Sequence, residues 1–185
     1  MTTARPTTRR SMLTGVSSRA RLIRRAEGRD AGAIGEIYDE AIASGVATFA
    51  RGPHDAGERV SWLAARGDRA PVWVLDDHGD VLAWSALAPF SHRSWYDGVA
   101  EYTVYVGGDA RGQGVGGDML DHLMGEAPAL GYWKLVGMIL EGNDAGLALA
   151  TGRGFRQVGT HRAHGRVGDD WRDVTVVELH LEQRQ

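Results

Sequence analysis

The residues best suited to chemistry form a glycine-rich loop, Arg111-Gly112-Gln113-Gly114-Val115-Gly116-Gly117, entered from the apolar run Tyr102-Thr103-Val104-Tyr105-Val106 and followed at once by a helical pattern. Glycines let backbone N–H groups come close to a ligand, and the start of a helix adds the positive end of its dipole, so a strand, loop and helix in this order suit a pyrophosphate. The chain contains no cysteine, which removes thiol nucleophiles, Cys-ligated zinc and disulfides together. Any catalysis falls to oxygen and nitrogen groups. A nucleoside-triphosphate loop needs Gly-Lys-Ser/Thr at its end, and the single lysine, Lys134, lies well outside. A dinucleotide fold needs Gly-x-Gly-x-x-Gly near the first strand, whereas Gly112-x-Gly114-x-Gly116 has another spacing and sits past mid-chain.

The elements that must position this loop follow from hydrophobic periodicity. A strand over Leu22 to Ala26 precedes Asp30, a candidate N-cap, and a helix with Ile34, Ile37, Tyr38, Ala41 and Ile42 on one face. A second helix over Asp55 to Arg66 contributes Val60, Trp62 and Leu63. A hairpin of Val72 to Leu75 and Val81 to Ala88 turns through Asp76-Asp77-His78-Gly79-Asp80. After the loop, Val115, Met119, Leu120, Leu123, Met124 and Ala127 mark a helical face that Pro128 and Gly131 end. Trp133 to Leu140 reads as a strand, Asn143 to Thr151 as a short helix, and Phe155 to Thr160 and Val174 to Leu181 as the last strands. Hairpin strands first and crossover helices later predict an α/β (α+β) chain: a mixed sheet with helices on both faces.

A length of 185 residues with 43% hydrophobic content is enough for one domain with a sizeable core, expected over 21–185. No apolar run approaches the ~20 residues that span a bilayer, so no membrane partner is expected. The net charge of −3 hides an asymmetry: the first 26 residues hold seven arginines and no acid, leaving 24 acids against 14 bases beyond them. Residues 1–20, with no apolar period, read as a disordered basic extension. Thr8-Arg9-Arg10-Ser11-Met12-Leu13 carries the paired arginines of an export signal without its apolar stretch, so a cytoplasmic protein is expected. The extension lacks aromatic residues to stack on bases, so nucleic acid is not an expected partner. His161 and His164, three apart near a strand end, are expected to point to opposite faces with no third ligand, so no metal is expected.

A third ligand class for such a loop is coenzyme A, and here the chain resembles the GCN5-related N-acetyltransferases (GNAT), in particular their phosphinothricin and methionine sulfoximine acetyltransferase branch. The matching pieces are Thr48-Phe49, Ala86-Leu87-Ala88-Pro89-Phe90, Tyr96, the run Glu101 to Val106, Arg111 to Gly117, Asn143, Gly154-Phe155 and Trp171-Arg172-Asp173. The resemblance implies a mostly antiparallel sheet of six to seven strands with a V-shaped opening between two parallel strands. Acetyl-CoA would lie in that opening as co-substrate, its arm on the backbone of Val104, Tyr105 and Val106. Its pyrophosphate would lie on Gly112 to Gly117, with Arg111 and Asn143 as further contacts.

The same resemblance makes Glu101 the catalytic base toward a small amine, and Phe49, Arg93 and Tyr96 the contacts to an amino-acid-like acceptor. Ser91 stands where a second basic residue is frequent, and Ala150 where Tyr or His often protonates the leaving thiol, so no dedicated general acid is expected. Homodimers are common in the family, with Trp171 as a packing residue. Acetylation of another amine, on an antibiotic or a peptide N-terminus, and a non-catalytic acyl-CoA-binding module are the alternatives.

Overall fold

A computed structural model describes residues 21–181 except His54, with the side chain of Ala56 also outside the description; the expected basic extension over 1–20 lies outside the described residues. Seven strands and four α-helices follow one another as β1 (Leu22–Arg25), α1 (Ala31–Ser44), α2 (Ala56–Ala64), β2 (Val72–Asp77), β3 (Asp80–Pro89), β4 (Val99–Val106), α3 (Val115–Glu126), β5 (Lys134–Leu140), α4 (Asp144–Thr151), β6 (Arg156–Val167) and β7 (Asp170–His180). The order is the one that periodicity predicts. The spatial order is β1-β2-β3-β4-β5-β7-β6, and every neighbouring pair is antiparallel except β4 and β5. No helix among the described residues is long and apolar enough to cross a membrane.

Alternation along β2 shows how the sheet serves two cores. Trp73 and Leu75 face the cluster under α3, whose Val115, Met119, Leu120 and Leu123 are fully buried, while Val72 and Val74 face Ile34 and Ile37 of α1 and Trp84 of β3. Helices therefore cover both faces. Asp30 is the N-cap of α1, as its position in the sequence predicts, but its carboxylate makes no cap bond to that helix: it takes two hydrogen bonds from Arg24 and one from the Glu27 N–H. Arg24 in turn bridges to Asp76, tying β1 and β2 to the start of α1; Arg24 holds the Asp30 carboxyl below its ordinary range, and the Gly79 backbone N–H together with Arg24 does the same for Asp76.

The feature that matters for function is the parallel pair. β4 and β5 are in register only over Val99–Glu101 and Lys134–Val136; from there β4 continues to Val106 still paired with β3, while β5 continues to Leu140 paired with β7. The sheet splits, and among the described residues the β4 edge facing the split has no strand partner beyond Glu101. At the apex the largely buried Tyr102 ring covers Gly137, where an added Cβ would lie 2.6 Å from the ring carbon Cε1. Gly137→Ala must therefore displace a packed aromatic ring, and a loss of about 1–3 kcal/mol is expected. Thermal denaturation reads it as a lower melting temperature; an unchanged one would mean that Tyr102 yields freely.

Candidate active site

The glycine loop lies at the mouth of the split. Gly114 is the N-cap of α3 with φ 83°, a left-handed conformation natural to glycine, and no side chain caps the helix. Its first N–H groups are thus left for a ligand, at the positive end of the dipole. A cavity of about 490 Å³ runs from this loop along the split, lined by Val104, Tyr105 and Val106 of β4, Arg111, Gly112, Gly114 to Gly117, and Asn143. Ten of the eleven residues expected to hold acetyl-CoA are thereby assembled on one surface. Gln113 is the exception: its amide donates to the Asp109 carbonyl and its Oε1 accepts from Arg21, so it braces the loop from outside.

Several contacts explain the cradle's shape. Asn143 caps α4, its Oδ1 accepting from the Gly146 N–H at 2.9 Å, and the amide packs so closely that a Cβ on Gly146 would lie 2.8 Å from Nδ2. Glu40 of α1 accepts from the Gly108 N–H at 2.6 Å and pairs with Arg111 at 3.4 Å, pinning the strand exit to the first helix. Arg153, not singled out from the sequence, also lines the cavity; it donates to the Gly117 carbonyl and pairs with Asp121. Its position just before Gly154-Phe155 was the available signal, but only folding brings it to the loop. Position 150 holds a fully buried Ala150 within the core, while Leu149 of the preceding position lines the cavity, so α4 presents no proton donor there.

On the other face of β4 lies a smaller cavity of about 200 Å³, lined by Glu101, Thr103 and Tyr105 together with Tyr38, Trp62, Trp84 and two arginines, Arg59 and Arg66. Tyr105 borders both cavities. Burial pushes the Glu101 carboxyl above its ordinary value, and it has no ion-pair partner among the described residues. A half-buried, unpaired carboxylate with a raised pKa is what a general base for an ammonium needs. Burial also raises the Tyr102 and Tyr105 hydroxyls strongly, which keeps them as neutral donors and makes them poor acids toward a thiolate.

The residues expected to meet the acceptor stand elsewhere. Phe49 packs its ring against Gly165 of β6, where a Cβ would lie 2.6 Å from Cε1. Arg93 begins the short 3-10 turn Ser94–Tyr96 and lies 5.9 Å from the exposed Trp95 ring, and Tyr96 contacts Phe90 at 6.0 Å between ring centroids. None of the three lines the cavity that holds Glu101. Sequence reasoning missed Tyr38, Arg59, Trp62 and Trp84, which do. His161 and His164 also correct an expectation: a register shift between His161 and Gly165, with Ala163 at φ 48°, stacks their rings at 4.6 Å instead of pointing them apart.

Residues 34–155 match the acetyltransferase (GNAT) family. The chain belongs to that family. Among the relatives of this GNAT chain is the L-methionine sulfoximine/L-methionine sulfone acetyltransferase of Pseudomonas paraeruginosa, 32% identical over 79% of this chain and 86% of the relative. An L-amino acid N-acyltransferase of Escherichia coli is 31% identical over 88% of this chain and 95% of its own length. The crystal structure of a GNAT phosphinothricin acetyltransferase from Sinorhizobium meliloti in complex with AcCoA superimposes with a TM-score of 0.79 at 29% identity, covering 88% of this chain and 89% of that one. The split seven-stranded sheet is the GNAT fold, and the GNAT chain described here is an acyltransferase.

Proposed function

We propose that this GNAT enzyme transfers the acetyl group of acetyl-CoA to the amino group of a small amino-acid-like acceptor, with phosphinothricin, methionine sulfoximine and methionine sulfone as the leading candidates. The observation that carries the proposal is Glu101: half-buried, unpaired among the described residues, and lining a small aromatic cavity that shares Tyr105 with the wall of the glycine-loop cleft. Relatives named for these acceptors, and one named for L-amino acids, at about 30% identity over most of the chain, support the substrate class.

Acetyl-CoA supplies a thioester, whose chemistry needs a neutral amine held close and a donor for the developing oxyanion. Val104 to Val106 offer the strand edge left unpaired among the described residues to the pantetheine arm, and Gly112 to Gly116 offer N–H groups to the pyrophosphate, the Gly117 N–H being taken by the Gly114 carbonyl, with Arg111 and Arg153 as flanking cations. Glu101 takes the proton of the acceptor ammonium, directly or through one water, and the freed lone pair attacks the acetyl carbon. A backbone N–H on the split edge of β4 donates to the oxyanion. The carbon–sulfur bond then breaks, and the thiolate, with an intrinsic pKa around 8.5, takes its proton from solvent, since α4 places Leu149 and Ala150 where an acid would stand.

The deciding experiment measures thiol release from acetyl-CoA across phosphinothricin, methionine sulfoximine, methionine sulfone, an antibiotic amine and a peptide N-terminus. Turnover on the first three is expected. Acetyl-CoA binding with no thiol release on any acceptor would make the chain a binding module instead. We also propose a homodimer through the last strands, supported by the exposed Trp171 and Val158 on β7 and β6; light scattering tests it.

A further inference from the structure

Helix α2 carries a cation into the acceptor cavity that nothing among the described residues neutralises. Arg59 is 6% exposed, and a buried arginine normally has a carboxylate or carbonyl to meet. Its guanidinium lies 4.8 Å from the Tyr38 ring centroid and 5.0 Å from that of Trp62, contacts that offset part of its charge but fill none of its in-plane donor positions. Nε and Nη2 are both buried without a hydrogen-bond partner, and these two nitrogens form one edge of the guanidinium, the edge that grips a carboxylate through two parallel bonds. The indole Nε1 of Trp84, on the same cavity wall, is likewise buried and unpartnered. Arg66 differs: its Nε donates to the Ala70 carbonyl at 2.7 Å and its Nη2 to the Leu87 carbonyl. Nor does Glu101 answer Arg59: the Nε and Nη2 edge has no hydrogen-bond partner, although both residues line the same cavity.

We propose that Arg59 anchors the carboxylate of the acceptor, with the Trp84 indole N–H as an additional donor. The inference rests on the acetyltransferase reading above and narrows its acceptor to a small α-amino acid with a free carboxylate. In such a molecule the amine and the carboxylate share one carbon, so base and anchor must face the same small space; Glu101 and Arg59 do, in a cavity of about 200 Å³, while Arg93 does not. A peptide N-terminus, lacking the free carboxylate, leaves the Arg59 edge unanswered, which is the kind of mismatch that polar sites discriminate against.

The test compares L-methionine sulfone with its decarboxylated counterpart, 3-(methylsulfonyl)propylamine, on the full chain and on Arg59→Met and Arg59→Lys. The ratio of kcat/KM for the amino acid over the amine is expected to fall about 100-fold in Arg59→Met, mainly through the KM of the amino acid, and by less in Arg59→Lys, which keeps the charge but loses the fork. Acetyl-CoA binding serves as the check on folding; if Arg59→Met fails it, the Arg59→Lys ratio decides. An unchanged ratio overturns the inference while leaving the acetyltransferase reading intact. If the unmodified chain turns over neither acceptor, that reading fails and tryptophan fluorescence decides the inference: quenching by methionine sulfone that disappears in Arg59→Met upholds the anchor, and equal or absent quenching in both overturns it.

Discussion

Glu101→Gln is expected to lower kcat/KM by about 10²- to 10⁴-fold, the range a positioned general base contributes, while acetyl-CoA binding stays within a few-fold. Glutamine keeps the shape and the hydrogen-bonding reach of the side chain but takes no proton from an ammonium. Burial raises the Glu101 pKa, so the acid limb of the kcat/KM profile is expected above the ordinary carboxylate range, and that limb should vanish in the variant. Stability supplies an independent sign. A carboxyl whose folded pKa lies above its unfolded value binds its proton more tightly when folded, so its contribution is fully present at low pH and is lost as pH rises through the folded pKa. Above that raised pKa the native chain therefore carries a half-buried charge that glutamine removes, and the melting temperature of the variant should equal or exceed that of the native chain, with the difference shrinking as pH falls through the raised pKa of Glu101. Retention of turnover within twofold would take Glu101 out of the chemistry; a fall in melting temperature at pH 7 would mean that its carboxylate is a structural partner.

Gly114→Val should weaken acetyl-CoA binding by about 100-fold. At φ 83° a β-branched residue pays the left-handed penalty of about 1–2 kcal/mol, and relief of that strain turns the first N–H groups of α3 away from the pyrophosphate. Each tenfold in affinity corresponds to about 1.4 kcal/mol, so strain together with one lost charge-assisted hydrogen bond accounts for the figure. No atom stands within 4 Å of the position an added Cβ would take, which makes backbone conformation and not crowding the cause. Gly125→Ala, in the same helix but away from the cavity, is the matched control: its φ is ordinary, and the added Cβ has nothing within 4 Å. Calorimetric titration with acetyl-CoA reads both. Equal affinity for Gly114→Val and the native chain would show that the left-handed turn does not organise the phosphate site.

Local pattern and short motifs made the scaffold legible. The alternation in β2, the helical faces of α1 and α3, and the loop running from Val106 into α3 depend on residues near one another in sequence, so their order and the placement of the cofactor cradle could be read directly. Ten of the eleven expected cradle residues line one cleft for the same reason: they belong to three contiguous segments, each shaped by its own backbone. The acceptor side was not legible in this way. Phe49, Arg93 and Tyr96 lie on turns whose direction no periodicity sets, and the structure puts them outside the Glu101 cavity.

What the sequence by itself determined is the order of strands and helices and the glycine cradle, because strand and helix periods and glycine conformation are local properties; the GNAT scaffold and Glu101 as candidate base near the head of β4 came from the resemblance to the family. What only the tertiary structure decided is which side chains share the space around that base. Tyr38 of α1, Arg59 and Trp62 of α2 and Trp84 of β3 come from segments with no mutual spacing to read, and they meet because both helices bury their apolar faces on the same side of the sheet, carrying Arg59 into a wall where its charge has no partner among the described residues.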